Sequence, residues 1–248
     1  MNTASVAVDK RALGSPVVTQ RGERRFWGGM AIVMALIAFA GFAPSYYLKS
    51  RYNLGPQLTP LLQLHGAVMT SWMALLIAQT AFIAARRVTW HRRLGIAGVV
   101  LAALLVIVFT KVSILRAHQG VLGPGFVPPL QFLAIPLASV ILVPVLVGAA
   151  VYYRKRSDYH KRLIMLANVE IVTPAAARLF GLLGTSPLVG FLFMDLFVVA
   201  IAIRDLVTRR KLHPATVWGG ALVVVSFPLR LAISGTPAWM TFAKWLAS

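Results

Sequence analysis

The chain has 248 residues, of which 58% are hydrophobic and only 12% are charged. Its hydrophobic residues form uninterrupted runs that are too long for the helices of a soluble core. The formal net charge of +19 would suggest a nucleic-acid partner for a soluble protein, but the basic residues are divided among alternate loops and form no single basic face. Composition therefore excludes nucleic acid as a partner and predicts a protein embedded in a lipid bilayer.

Seven hydrophobic runs follow one another along the chain, and each is close to the roughly 20 residues that a helix needs to cross a bilayer. The sequence lacks the alternating pattern of strands in a membrane β-barrel. We therefore predict an all-α integral membrane protein with seven transmembrane helices. The predicted spans are residues 26–48, 60–85, 94–115, 129–153, 163–183, 189–207 and 215–235.

The distribution of basic residues predicts the orientation of these spans. Eighteen of the 25 Lys and Arg residues lie in the N-terminal tail and in the turns at 86–93, 154–162 and 204–213. Because cytoplasmic loops are enriched in Lys and Arg, we expect the N-terminus inside and the C-terminus outside a bacterial-type cytoplasmic (inner) membrane. Residues 1–25 are predicted to be a disordered cytoplasmic tail, and residues 26–248 a single membrane domain.

Two similar pentapeptides open the third and fifth spans. "WHRRL" occupies residues 90–94 and "YHKRL" residues 159–163, an offset of 69 that also aligns two basic residues before each motif. The offset superposes spans 2–3 on spans 4–5, which indicates a duplicated helical hairpin. We therefore expect a four-helix core from spans 2–5, with spans 1, 6 and 7 packed around it.

The histidines of the two motifs, His91 and His160, are predicted to lie at one depth on the cytoplasmic side. Two imidazoles that face each other across a bundle can ligate a b-type haem, and nearby cations can neutralise its propionates. The alternative is that both motifs only anchor their helices at the membrane surface. His65 in span 2 and His118 after span 3 suggest a second, outer pair. The cations available to propionates are Arg92, Arg93, Lys161 and Arg162.

Several short motifs resemble a broad group of uncharacterised bacterial multi-pass proteins, itself distantly similar to transmembrane b-type cytochromes of the ascorbate-reducible and ferric-reductase kind. The motifs are "LHG" around His65, "HRRLG" at the start of span 3, and "DYHKRLIMLA" followed by "AARL" in span 5. The resemblance covers residues 60–183. It implies a four-helix core with haem binding at His65, His91 and His160.

Ionisable residues inside the spans form a second set of candidates. Such residues are costly in a bilayer and usually mark a function or an internal pair. Those near the outer boundary carry an excess of positive charge, so we expect an outward-facing pocket for an anionic ligand. The alternative is that Asp195 forms a structural ion pair with Arg178 or Arg230. The members of this set are Lys111, Arg178, Asp195, Arg230 and His65.

Glu170 lies near the middle of the bilayer, within "NVEIVTP", the most polar stretch of any span. A lone carboxylate at this depth would be protonated or partnered, because desolvation disfavours its charge. We assign it the catalytic role of a proton-handling group. A contact to substrate, or a protonated side chain bonded to a neighbouring helix, are the alternatives.

These observations predict a membrane-embedded redox protein that binds b-type haem or a quinone between histidines of the core. The alternative is a transporter, or another small-molecule-binding membrane protein, that uses the outward-facing cationic pocket. A scaffold without a small-molecule site is a third class. The absence of cysteine excludes disulfides and thiolate metal sites, and no motif resembles a hydrolase triad, a phosphate loop or a closed zinc site. A metal bound by histidine and carboxylate across helices stays open.

Overall fold

The computed structural model describes residues 20–52, 54–123 and 127–248, which form helices and no strand. The first helix, α1, continues as a single π-helical turn at Ala43–Tyr47. The helices are α1 Gln20–Phe42, α2 Lys49–Tyr52, α3 Pro60–Ala84, α4 Val88–His118, α5 Pro129–Phe132, α6 Ala134–Tyr152, α7 Ser157–Leu182, α8 Pro187–Arg209, α9 Pro214–Ser234 and α10 Pro237–Ala247.

Seven helical segments of the described chain are long and apolar enough to cross a membrane, which confirms the predicted multi-pass helical architecture. They are α1 with its π-helical turn, α3, α4, the combined segment of α5 and α6, and the three helices α7, α8 and α9. The sequence analysis did not predict α10, which has 11 residues and is too short to span a bilayer. The helix α1 begins at Gln20, so residues 20–25 of the predicted tail are helical, while residues 1–19 lie outside the described residues.

Five of the long helices pack in a closed ring. Each contacts the next in the order α1, α3, α4, α6 and α7, and α7 returns to contact α1. The helices α8 and α9 pack outside this ring against α7, and α9 also contacts α6. The four helices of the predicted core therefore all belong to the ring, and α1 is its fifth member.

The most buried helix is α7, which packs against α1, α6, α8 and α9. It also carries the most polar stretch of any span, because buried neighbours on several sides can satisfy its polar groups. In the ring interior, for example, Trp72 of α3 donates a 2.9 Å hydrogen bond to the side chain of Asn168.

Small residues allow two helices to approach α7 closely. A Cβ atom on Gly41 of α1 would lie 2.1 Å from the carbonyl oxygen of Ala175, and one on Gly190 of α8 would lie 2.5 Å from the backbone of Ala177. Neither position could carry a larger side chain without separating the helices. This is the close packing through small residues that is common among membrane helices.

Short turns place the repeated motifs at the same end of the bundle. The turns 85–87, 153–156 and 210–213 lie at this end, which we call the basic end. Arg87 and Arg156, which are 69 residues apart, are the N-cap residues of α4 and α7. His91 and His160 are therefore each the fourth residue of their helix, at matching depth. We call the other end of the bundle the opposite end.

Candidate functional site

The rings of His91 and His160 contact each other between α4 and α7. Their centroids are 6.1 Å apart and their planes are nearly perpendicular, at 88°. The two helices are separated along the ring of helices by α6, so the histidines meet across its interior rather than along a helix-to-helix seam. The two side chains therefore face each other and not the lipid headgroups alone.

The ring nitrogens of this pair differ in their partners. His160 Nδ1 lies 2.8 Å from the carbonyl oxygen of Ala150, and a carbonyl can only accept, so Nδ1 carries the proton and donates. The neutral ring then has its lone pair on Nε2, the form in which a histidine binds a metal. His91 Nδ1 is buried and makes no hydrogen bond of ordinary geometry within the described residues, although the backbone of Gln79 lies close to the ring. Buried polar atoms without a hydrogen-bond partner are rare in proteins, so this nitrogen is a candidate for binding a group from outside the chain.

The two imidazoles are close enough together to hold one group between them. Their ring centroids are 6.1 Å apart, and histidine is a common ligand of haem iron. The hydrogen bond from His160 to a backbone carbonyl is also the usual outer-shell contact of a metal-binding histidine.

Of the four cations proposed for haem propionates, the structure leaves two available. Lys161 forms an ion pair with Glu23 of α1, and Arg162 forms a buried one with Asp205 of α8. Arg92 and Arg93 are exposed beside His91. Only these last two can neutralise an anionic group at the histidine pair without giving up an ion pair.

Sequence analysis missed the buried network around Asp205. Its carboxylate accepts a 2.9 Å bond from Arg162 Nε, a 3.0 Å bond from the backbone N–H of His213 and a 2.5 Å bond from the hydroxyl of Thr216. These contacts join α7, α8 and the start of α9. The signal in the sequence was that Asp205 is an acidic residue within the strongly basic turn 204–213. That turn was interpreted only as a marker of membrane orientation.

His213 belongs to the same network and is almost completely buried. Its Nδ1 accepts a 3.1 Å bond from the backbone N–H of Ala215 at the start of α9, so Nε2 carries the proton and donates to Asp158 at 3.0 Å. Burial lowers the pKa of His213 below its ordinary value, and the bond to Asp158 offsets this only in part. His213 is thus a neutral cap of α9.

The other two histidines do not form a second pair. His65 stacks on Phe109 of α4, with ring centroids 5.7 Å apart. His118 Nδ1 instead lies 2.6 Å from the carbonyl oxygen of Ala247 in α10. Because that carbonyl can only accept, His118 Nδ1 is the donor. His65 Nδ1, like that of His91, is buried and lacks a partner among the described residues.

Glu170 is partnered rather than alone. Arg230 of α9 donates a 2.7 Å bond to its carboxylate, and Ser139 of α6 donates one of 2.5 Å. Arg230 also donates to the hydroxyls of Ser139 at 3.2 Å and Ser226 at 2.8 Å. The side chains of Glu170 and Arg230 are each about 5% exposed. The alternative pairing of Arg230 with Asp195 is therefore not observed, and the ion pair joins α6, α7 and α9.

The outward-facing cation pocket also differs from its prediction. Arg230 points into the Glu170 network, and Lys111 is exposed in a groove of about 310 Å³ beside α10. The guanidinium of Arg178 lies 5.0 Å from the ring centroid of Phe42. Asp195 is half-buried near Glu170, without a hydrogen bond or ion pair in the described part of the chain. The predicted set is thus distributed over separate sites.

No protein-family profile, curated protein or solved structure matches this chain. Function is therefore argued from the geometry of the chain itself.

Proposed function

We propose that this chain is a membrane-embedded redox protein that binds b-type haem between His91 and His160. The contact between the two rings across the interior of the helix ring is the observation that carries this proposal. Bound haem would supply one-electron transfer. The buried, unpartnered Nδ1 of His91 and the oriented ring of His160 suit this cofactor better than they suit membrane anchors.

The residues around the pair would each perform a defined task. Ala150 holds the ring of His160 in one orientation through its carbonyl, so that Nε2 would be free to bind a metal. Arg92 and Arg93 would neutralise the propionates at the basic end, where both side chains are exposed. The ring helices would surround the cofactor on the side of the interior on which both histidines border.

The proposal includes a role for Glu170 as the proton-handling group. A change of charge at a redox centre within a bilayer is costly unless a proton or counter-charge moves with it. Glu170 shares its carboxylate between Arg230 and a serine hydroxyl, and Asp195 lies close enough to interact with it electrostatically. Asp195, which has no ion pair in the described part of the chain, would be a second carboxylate beside Glu170 at this site.

The proposal also includes the predicted membrane placement. The basic end would face the cytoplasm and the C-terminus the outside of a cytoplasmic membrane, with spans 2–5 as the functional core. We prefer this function to that of a transporter because Glu170 neutralises Arg230, one of the three cations of the predicted pocket. A quinone at the same histidines is the second cofactor class that the proposal covers.

Absorption spectroscopy tests the haem assignment. Protein purified in detergent from cells supplied with a haem precursor is expected to show a Soret band, and His91→Ala and His160→Ala are each expected to lose it. His118→Gln is the matched control, because His118 is exposed and bonds only to Ala247 near the opposite end. It should retain the band.

Absence of a Soret band from folded wild-type protein would refute haem binding. Quinone reduction that depends on both His91 and His160 would then support the quinone form of the proposal. If neither signal appears, or if His118→Gln alters the band as strongly as the other two variants, the histidine pair is not a cofactor site.

A further inference from the structure

We infer that Arg116, Arg178 and His65 form a binding site for a phosphate-type oxyanion at the opposite end of the bundle. This site is separate from the histidine pair and does not depend on the proposed redox function. It differs from the predicted cation pocket, because Arg116 takes part and Arg230 does not.

Three helices of the ring bring these side chains to one level. Arg178 lies near the end of α7, Arg116 near the end of α4 and His65 near the start of α3, all at the opposite end. Phe42 and Phe109 provide aromatic surfaces beside them, since Arg178 lies over the first ring and His65 stacks on the second. The cluster therefore lies at the mouth of the ring of helices.

The charges of the cluster are not compensated. Arg178 lies near enough to Arg116 and to the ring of His65 to interact with each electrostatically, and this interaction disfavours a positive charge on His65. Neither guanidinium has a hydrogen bond or an ion pair with any residue that the structure describes. Two guanidinium groups near each other at the edge of a bilayer repel each other, and an anion between them would relieve that repulsion.

None of the acidic side chains that the structure describes is placed to supply that anion. It contains six acidic residues, of which Asp9 lies outside the described range. The others lie at the basic end or in the middle of the bundle, and none lies at the opposite end. They are Glu23, Asp158 and Asp205 at the basic end, and Glu170 and Asp195 in the middle.

A groove and an unused donor accompany the cations. Arg116 lines a groove of about 180 Å³ whose other polar walls include Gln57, Thr59 and Gln119. His65 Nδ1 is buried without a hydrogen-bond partner within the described residues, and in the neutral tautomer that carries its proton on Nδ1 it is a donor. Arg178 and His65 do not line this groove, so the space lies beside Arg116, and the free donor of His65 lies at the same end of the bundle.

A phosphate group matches this set of donors. Arginine presents several N–H groups in a planar fork that fits phosphate oxygens, and two arginines balance a dianion. The same chemistry could come from free phosphate or from the headgroup of a lipid, because the opposite end lies where the spans leave the bilayer. Aromatic surfaces beside the cations suit either source.

Ligand-dependent stability distinguishes the two sources. Wild-type protein in detergent would be unfolded by heat with inorganic phosphate and, separately, with added phosphatidylglycerol, using chloride and phosphatidylcholine as references. A ligand that binds only the folded state raises its melting temperature. Arg116→Gln and Arg178→Gln are each expected to weaken the apparent affinity roughly tenfold or more. The control, Arg51→Gln, removes an exposed cation from the same end and should leave the affinity unchanged.

Stabilisation by phosphate supports a soluble ligand, and stabilisation by phosphatidylglycerol alone supports a lipid headgroup. Arg178→Lys keeps the charge but removes the fork, so it should fold and bind with intermediate affinity if Arg178→Gln does not fold. The proposal is overturned if neither probe stabilises the wild type more than its reference. Equal losses in Arg51→Gln and Arg116→Gln would likewise overturn it.

Discussion

Arg230 donates a 2.7 Å hydrogen bond to Glu170 across α9 and α7, and both side chains are buried in the middle of the bundle. Removing one member of a buried ion pair leaves the other charge uncompensated. Glu170→Gln is therefore expected to lower the free energy of unfolding by about 3–5 kcal/mol. Denaturant unfolding in detergent measures this change.

The matched variants separate charge from packing. In Glu170→Gln/Arg230→Met both charges are absent, so this double variant should recover much of the stability that the single variant loses. Asp195→Asn removes a half-buried carboxylate that has no ion pair in the described chain, and it should not destabilise. An equal loss in Asp195→Asn would contradict the importance of the Glu170 pair.

The close contact of α1 with α7 predicts a strong response at Gly41. A methyl group there would meet the carbonyl oxygen of Ala175 at 2.1 Å, so Gly41→Ala should destabilise by roughly 1–3 kcal/mol. Gly148 of α6 has open space around it, and Gly148→Ala should be neutral or slightly stabilising because alanine favours helix. Thermal unfolding of both variants in one detergent gives the comparison. Similar melting temperatures for the two would rule out the tight contact.

The neutral state of His213 predicts a dependence of stability on pH. The unfolded chain binds a proton at this residue near the ordinary pKa of about 6.5, whereas burial lowers the pKa in the folded protein. The contribution of His213 to stability is therefore present above pH 6.5 and decreases as the pH falls below it. Asp158, Arg162 and Arg209 all influence this titration.

His213→Asn isolates that contribution. Asparagine can still cap α9 but does not titrate, so the variant should lose less stability than the wild type between neutral and mildly acidic pH. Unfolding curves at several pH values measure the difference. Parallel pH profiles for the two proteins would show that His213 does not contribute.

Single cysteines test the membrane orientation, because the chain contains none of its own. Lys155→Cys at the basic end and Gln119→Cys at the opposite end both replace exposed residues. If the basic end faces the cytoplasm, an impermeant maleimide should label position 119 in intact cells and position 155 only in inverted vesicles. The reverse labelling pattern would invert the proposed topology.

Hydropathy was sufficient to predict the seven spans, because a helix that crosses lipid must be apolar over most of its length. It also located His91 and His160 at one depth, since both motifs begin a span after a basic turn. The contact between their rings could not be predicted, because periodicity does not state which helix faces which across a ring.

The pairing of Glu170 with Arg230 could not be predicted from the sequence for a related reason. Counting residues along straight helices put these groups at different depths and put Arg230 level with Asp195. Their contact depends on the position of α9 against α6 and α7, and on the reach of an arginine side chain. The basic turn 154–162 likewise gave no sign that Arg162 is buried, and no role was predicted for its partner Asp205, because only tertiary packing brings the two together.

The two partners of the Glu170 ion pair are synthesised at different times. Arg230 follows Glu170 by 60 residues, so α7 leaves the ribosome before its cation has been synthesised. Until α9 emerges, the carboxylate has only the hydroxyl of Ser139, on a helix already made, as its observed partner. Final placement of α7 in the bilayer therefore depends on α9, and a nascent chain that stops before α9 would carry an acid in lipid without its counter-charge.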